Sequence, residues 1–219
     1  MAKFIDLSHV IENGMITYPG LPGPKIADHL SREGSKQHYV DGTTFQIGKI
    51  EMVANTGTYI DAPFHRYQEG KDLSQLDFAS VANLDGLVFH APPNSRKIYP
   101  DVFNGRDVKG KAVLIHTAWD RHWGTELYFK DHPYLTRESA EYLKSRGSAL
   151  VGIDSLNIDD NTDGTRPAHT ILLGDGIPIV EHMCNLDDLP HNGFKLFAVP
   201  APVKDMGSFP VRAFAIIDN

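Results

Sequence analysis

The chain has 219 residues, a length that fits one domain, since single domains can run to roughly 250 residues. Its 21 basic and 28 acidic residues give a formal net charge of -7, which argues against nucleic acid as a partner. Cys184 is the only cysteine, so no disulfide can form within the chain. The sequence shows neither a leader peptide nor an apolar run of about 18 residues, so we expect a cytoplasmic protein with no membrane partner.

Short apolar and β-branched runs recur along the chain and predict strands. They cover residues 3–7, 45–53, 86–90, 112–116, 150–153, 177–180, 195–200 and 212–217. No repeat or linker divides the chain. This mixture predicts an α/β or α+β domain whose strands form a curved, partly closed sheet.

Helical patterns are fewer. A helix is predicted near residues 73–81 and a short helical piece near residues 100–103. The clearest pattern covers residues 136–147, where Thr136 can cap the first turn and Gly147 can end the helix. Ala140 and Leu143 would then face the core. Another short helix is expected after His169.

The most informative segment covers residues 55–65, where metal-binding and proton-handling side chains surround one glycine and one proline. In an extended chain alternate residues share a face, so Asn55, Tyr59, Asp61 and His65 are expected to point toward one cavity. Pro63 must end the strand or form a bulge, because it has no N–H group for the ladder.

This segment resembles the signature H-x-G-T-H-x-D-x-P-x-H of the cyclase family, which contains bacterial kynurenine formamidase and isatin hydrolase. Five of the seven specified side chains match, namely Gly57, Thr58, Asp61, Pro63 and His65. Asn55 and Tyr59 stand where the family has metal-binding histidines. Residues 169–186 are similar to a second block of the family, in which His169 and Glu181 take the positions of a histidine and a glutamate.

The resemblance implies an α/β fold, a swivelling β/β/α-type domain over residues 1–219. Its core would be a curved, barrel-like mixed sheet with helices outside. The resemblance also implies a small-molecule substrate and assembly as a homodimer or homotetramer.

By the same resemblance, two divalent ions would share the carboxylate of Asp61. The second site is complete as Asp61, His169 and Glu181, whereas the first keeps only Asp61 because Asn55 and Tyr59 replace its histidines. An amide and a phenol are poor substitutes for imidazole, and Tyr59 would have to lose a proton whose ordinary pKa is about 10. We therefore expect one ion at most, with zinc the first choice and manganese the second.

Such an ion would activate water and polarise a carbonyl group. His65 matches the family's proton-donating histidine and could pass a proton to a departing nitrogen, a task suited to its ordinary pKa near 6.5. Glu181 is the second candidate catalytic residue. Asn55 or Tyr59 could replace the missing ion with a hydrogen bond to the reaction intermediate.

Three aromatic side chains are candidates for a substrate pocket, namely Tyr18, Phe64 and Trp119. Such residues can equally seal a core. The acidic run at residues 159–164 begins like a calcium loop, but Thr170 stands where the loop needs its glutamate. We expect that run to be a solvated acidic loop.

The leading prediction is a metal-dependent hydrolase that opens an amide, formamide or cyclic amide bond in a small aromatic substrate. One alternative is a catalytically impaired family member that binds a small molecule, which Asn55 and Tyr59 favour. Another is a lyase or dehydratase with Asp61, His65 and Glu181 as acid and base, because a fold does not fix the reaction.

Overall fold

A computed structural model describes residues 1–217. Within that range the chain forms thirteen strands and three α-helices, joined by turns and short 3₁₀ segments. The strands are β1 Lys3–Asp6, β2 Lys25–Leu30, β3 Ile47–Glu51, β4 Tyr59–Asp61, β5 Leu84–His90, β6 Lys97–Ile98, β7 Ala112–His116, β8 Tyr134–Leu135, β9 Leu150–Ile153, β10 Ile179–Glu181, β11 Phe194–Phe197, β12 Ser208–Pro210 and β13 Phe214–Ile217. The helices are α1 Arg32–Ser35, α2 Arg137–Ser145 and α3 Pro167–Gly174.

Nine of the described strands form one curled, half-barrel sheet in the order β1-β13-β11-β5-β7-β9-β10-β4-β12. The central strands β5, β7, β9 and β10 run parallel, and the strands on either side of them pair antiparallel. This mixed sheet with helices outside it confirms the predicted fold class.

The central strands are buried on both faces. In β7, Val113 and Ile115 face a core that also contains Leu143 of α2 and Leu172 of α3, whereas Leu114 faces the other core. Burial on both faces explains why this strand reads as a continuous apolar run rather than an alternating one.

The eight apolar runs of the sequence each overlap a strand, which confirms those predictions. Helix α2 is also confirmed: the Thr136 hydroxyl accepts the Ser139 N–H group at its start, and Gly147 has a φ of 70° just beyond its end. Ala140 and Leu143 are fully buried.

Two helix predictions need correction. Residues 73–81 form two 3₁₀ segments, Leu73–Gln75 and Phe78–Ser80, because Asp72 and Asp77 each cap a separate turn. The helix expected after His169 begins earlier, at Pro167, so His169 lies in its first turn.

Two small sheets lie apart from the main one among the described residues. β2 and β3 form an antiparallel hairpin whose side chains are nearly all exposed, and β6 pairs with β8. Over residues 1–217, every helix is too short or too polar to cross a bilayer.

Candidate metal centre

Sheet register places the candidate residues. β4 lies between β10 and β12, with Tyr59 directly opposite Glu181 and Asp61 opposite Ser208. Tyr59 and Asp61 share one face of the strand, while Ile60 between them packs into a core. Three short strands therefore bring residues distant in sequence to one face of the sheet.

The turn after β4 returns the chain over Asp61. The strand stops at Asp61 and a 3₁₀ turn spans Pro63–His65, as the proline predicted. Gly207 allows the close approach that this turn requires, because a Cβ atom at position 207 would lie 2.3 Å from the backbone nitrogen of His65. The next residue, Ser208, can then reach both side chains.

The Ser208 hydroxyl links Asp61 and His65. It donates a short hydrogen bond to Oδ1 of Asp61 and lies 2.8 Å from Nδ1 of His65. Burial opposes ionisation of Asp61, but the His169 and His65 imidazoles outweigh it and lower the pKa of Asp61, so this carboxylate is ionised and only accepts. Ser208 therefore accepts the Nδ1–H group of His65.

Helix α3 supplies His169, and Asp159 fixes its orientation. The Asp159 carboxylate accepts the N–H groups of Ala168 and His169, which have no partner within the helix at its start, at 2.6 and 3.1 Å. It also accepts the Nδ1–H group of His169 at 2.7 Å. Metal-binding histidines commonly have such a carboxylate behind them, because it directs Nε2 toward the ion.

Nε2 of His169 faces two further carboxylates. It lies 3.4 Å from Oδ2 of Asp61 and 3.7 Å from Oε1 of Glu181. Burial lowers the pKa of His169, but Glu181, Asp159 and Asp61 together outweigh burial and raise that pKa to about 10. Without a cation the imidazole therefore holds a proton in the middle of this negative cluster.

A divalent cation fits this arrangement. Over residues 1–217, one group of three side chains offers ligand atoms within 4.8 Å of one another, namely Asp61, His65 and His169. Oδ2 of Asp61 is buried and accepts no hydrogen bond of good geometry, which is costly for an ionised oxygen. Two imidazoles and a carboxylate are typical donors to a borderline-soft ion.

Glu181 lies beside this group rather than in it. Its Oε2 accepts the Tyr59 hydroxyl at 2.5 Å and the Asn157 amide at 3.3 Å, and its Oε1 accepts the Ile158 N–H group at 2.7 Å. Burial raises the pKa of Glu181, against the opposing effect of His169. The sequence predicted Glu181 as the third ligand beside Asp61 and His169. The group of potential ligands in the structure contains His65 in that place.

Tyr59 and Asn55 differ in what they can do. Burial, together with the charges of Glu181 and Asp61, raises the pKa of Tyr59 well above its ordinary value, so its hydroxyl keeps its proton. That proton points to Glu181, and the hydroxyl is not free to donate to a substrate. Asn55 lies in the wall of the cavity above the centre.

A cavity of about 440 Å³ opens above the centre, and Tyr18, a candidate pocket residue, lies in its wall. Phe64 and Trp119 do not line it. Successive side chains of a 3₁₀ turn diverge by about 120°, so Phe64 points away from the direction taken by His65. Trp119 lines a different cavity, of about 680 Å³, and its indole N–H group donates to the Tyr128 carbonyl.

Sequence reasoning missed several residues of the site. The acidic run expected to be solvated begins with Asp159, which is fully buried behind His169. Ser208, Asn157 and Arg166 also adjoin the centre or its cavity. One local signal was available for Arg166 alone, since it immediately precedes Pro167 at the start of the helix that carries His169.

Comparison with known proteins yields consistent matches. Residues 5–160 match a family model, Cyclase, described as "Putative cyclase". The chain belongs to the cyclase family. A kynurenine formamidase from Geobacillus thermodenitrificans (strain NG80-2) is 32% identical over 215 residues, with 97% of each chain covered.

Solved structures of similar fold cover the whole cyclase-family chain. Isatin hydrolase A from Labrenzia aggregata, bound to benzyl benzoate, has a TM-score of 0.84 at 21% identity, covering 100% of this chain and 94% of that one. A structure titled as a predicted metal-dependent hydrolase from Bacillus stearothermophilus has a TM-score of 0.79 at 25% identity, with both chains fully covered.

Proposed function

We propose that this cyclase-family protein is a metal-dependent hydrolase of a C–N bond in a small aromatic substrate, as an amide, a formamide or a cyclic amide. The observation that carries the proposal is the grouping of Asp61, His65 and His169 beneath a cavity of about 440 Å³, with a buried carboxylate oxygen that accepts no hydrogen bond of good geometry. A relative named kynurenine formamidase and a structural neighbour named isatin hydrolase support the same reaction class.

The proposed ligands are Asp61, His65 and His169, and they would hold one ion per chain. When bound, a divalent ion supplies water activation and carbonyl polarisation. We favour zinc, with manganese second, because imidazole and carboxylate suit both. Tyr59, which stands where the family signature has a histidine, donates its hydroxyl to Glu181.

Glu181 is the proposed proton carrier. Three of roughly four lone-pair sites on its carboxylate are used, which leaves one on Oε1, the oxygen that faces His169. Oε1 would take a proton from the attacking water and return it to the departing nitrogen. A carboxylate at this position can act as general base in the first step and as general acid in the second. This assignment gives His65 the role of ligand in place of the predicted proton carrier.

The test is turnover of N-formyl-kynurenine, isatin and formanilide by protein loaded with zinc or manganese. We expect hydrolysis of at least one of them, lost on chelation and restored by adding back the ion. A Glu181→Gln variant should keep the ion and lose at least 100-fold in kcat, the lower end of what removing a general base costs. A protein that binds these compounds but turns over none would support a binding protein instead.

We further propose that the chain assembles as a homodimer or homotetramer in the cytoplasm. The exposed β2–β3 hairpin supports assembly, because an isolated two-stranded hairpin is marginally stable in water. Ile26 and Ile50 are register partners across it and are 46% and 47% exposed. An Ile50→Glu variant should dissociate to monomers in light-scattering measurements, and an unchanged mass would contradict the hairpin's role. The lone cysteine suits a reducing compartment.

A further inference from the structure

Arg166 is the only lysine or arginine among the described residues that line the cavity above the candidate centre. It lies three positions before His169, at the start of α3. Its Nε and the Nδ1 atom of His169 both approach the same oxygen of Asp159, at 3.7 and 2.7 Å. The guanidinium and the imidazole are therefore neighbours, and both line the same cavity.

The backbone at Arg166 is strained. Its φ and ψ are 48° and 60°, a left-handed conformation that non-glycine residues seldom adopt, and a proline follows directly. No capping hydrogen bond from its own side chain offsets this conformation. Strain of this kind persists where it positions a functional group, and here it holds the side chain at the cavity wall.

The guanidinium has donors that the described protein does not use. Asp159 is its only carboxylate partner within 4.0 Å in residues 1–217, and that carboxylate already accepts three N–H groups of Ala168 and His169. The Tyr18 hydroxyl also interacts with the guanidinium. A guanidinium carries five N–H donors, so part of the fork remains open toward the cavity.

Two other arginines show the contrast. Arg106 donates from both terminal nitrogens to backbone carbonyls, and Arg212 donates twice to Asp6. The guanidinium groups of Arg106 and Arg212 are thus hydrogen-bonded within the protein. The Arg166 side chain is 32% exposed and faces the cavity. A planar fork of this kind matches a carboxylate.

We propose that Arg166 binds a carboxylate of the substrate and so selects aryl amides that carry an acid group. This inference rests on the proposed function and adds a substrate class to it. The aromatic ring would lie beside Tyr18 and Leu21, which with Pro19 form the apolar side of the cavity. The amide would then lie over Asp61, His65 and His169.

The test compares a neutral and an acidic substrate, formanilide and 2-formamidobenzoate, in zinc-loaded protein. Arg166→Gln should lower kcat/KM for the acid by about 10- to 100-fold, mainly through KM, since charged hydrogen bonds have that worth. Formanilide has no acid group, so its kcat/KM should fall by a smaller factor than that of the acid, and that smaller loss reports the contact of Arg166 with Asp159. Arg166→Lys should be intermediate, because it keeps the charge and loses the fork. Arg121→Gln is the matched control, because Arg121 lines the other cavity.

A second readout needs no turnover. Binding of benzoate, measured by calorimetry, should weaken in Arg166→Gln and stay unchanged in Arg121→Gln. Two results would overturn the inference and leave the proposed function intact. One is an equal effect of Arg166→Gln on kcat/KM for both amides, and the other is an unchanged affinity for benzoate in that variant. Benzoate binding that depends on Arg166 in a protein that hydrolyses no amide would instead contradict the proposed function and keep Arg166 as a carboxylate site.

Discussion

Removing the Tyr59 hydroxyl tests the electrostatics of the centre. The hydroxyl donates to Oε2 of Glu181 at 2.5 Å, and both groups are essentially inaccessible to solvent. Hydrogen bonds to charged groups contribute about 1.5–3 kcal/mol, and the Asn157 amide, at 3.3 Å, replaces little of that. We expect Tyr59→Phe to lower the free energy of unfolding of the metal-free protein by about 1.5–3 kcal/mol.

The assay is urea denaturation in the presence of a chelator, with Tyr67→Phe as the control. Tyr67 loses the same atom, but its hydroxyl donates to the neutral Thr170 carbonyl in a half-buried position, at 2.7 Å. That loss should cost only about 0.5–1.5 kcal/mol. If Tyr59→Phe costs no more than Tyr67→Phe, the charge on Glu181 is not what the Tyr59 hydroxyl stabilises.

Three further substitutions probe the supports of the site and its surroundings. Gly207→Ala should lower the free energy of unfolding, measured by urea denaturation, by about 2 kcal/mol or more because its Cβ atom would clash with the backbone of His65. Gly164→Ala is the control, since it has open space around it and should change that free energy by less than about 0.5 kcal/mol. Equal losses in the two variants would contradict this prediction. Asp159→Asn should weaken zinc affinity about 10- to 100-fold in a competition assay, and Asp163→Asn should not. Burial lowers the pKa of His9 to about 4 in the folded protein. Below pH 6.5 the unfolded chain therefore binds a proton that the folded protein does not bind. The free energy of unfolding then falls as the pH drops toward 4, by at most about 1.4 kcal/mol per pH unit. His9→Phe should flatten the loss of stability between pH 6.5 and 5, and an unchanged slope would refute this.

The fold was predictable where the burial of a single strand or helix sets the order of apolar and polar residues along that element. The run at β7 is apolar from Ala112 to Ile115 because both its faces are buried there, and α2 has its cap, apolar face and terminal glycine in sequence. β2 escaped prediction because it lies exposed in a hairpin and needs no apolar face, and β12 is three residues long and contains a proline. Short strands of that kind are defined by their neighbours in the sheet.

The site was predictable only in part, for a related reason. The spacing of Asp61 and His65 is local, and the family resemblance supplied His169. Ser208 contacts His65 across 143 positions of sequence, so no local pattern could reveal it. Asp159 lies in a polar run that predicts solvent, yet it is buried because the N–H groups at the start of α3 need an acceptor.

Metal content per chain, measured by mass spectrometry on protein loaded with zinc and freed of excess, tests the central claim most directly. We predict one ion in the wild type, its loss in Asp61→Asn, His65→Gln and His169→Gln, and its retention in Glu181→Gln. Two ions per chain, none at saturating zinc, or loss in Glu181→Gln with retention in His65→Gln would contradict the proposed ligand set.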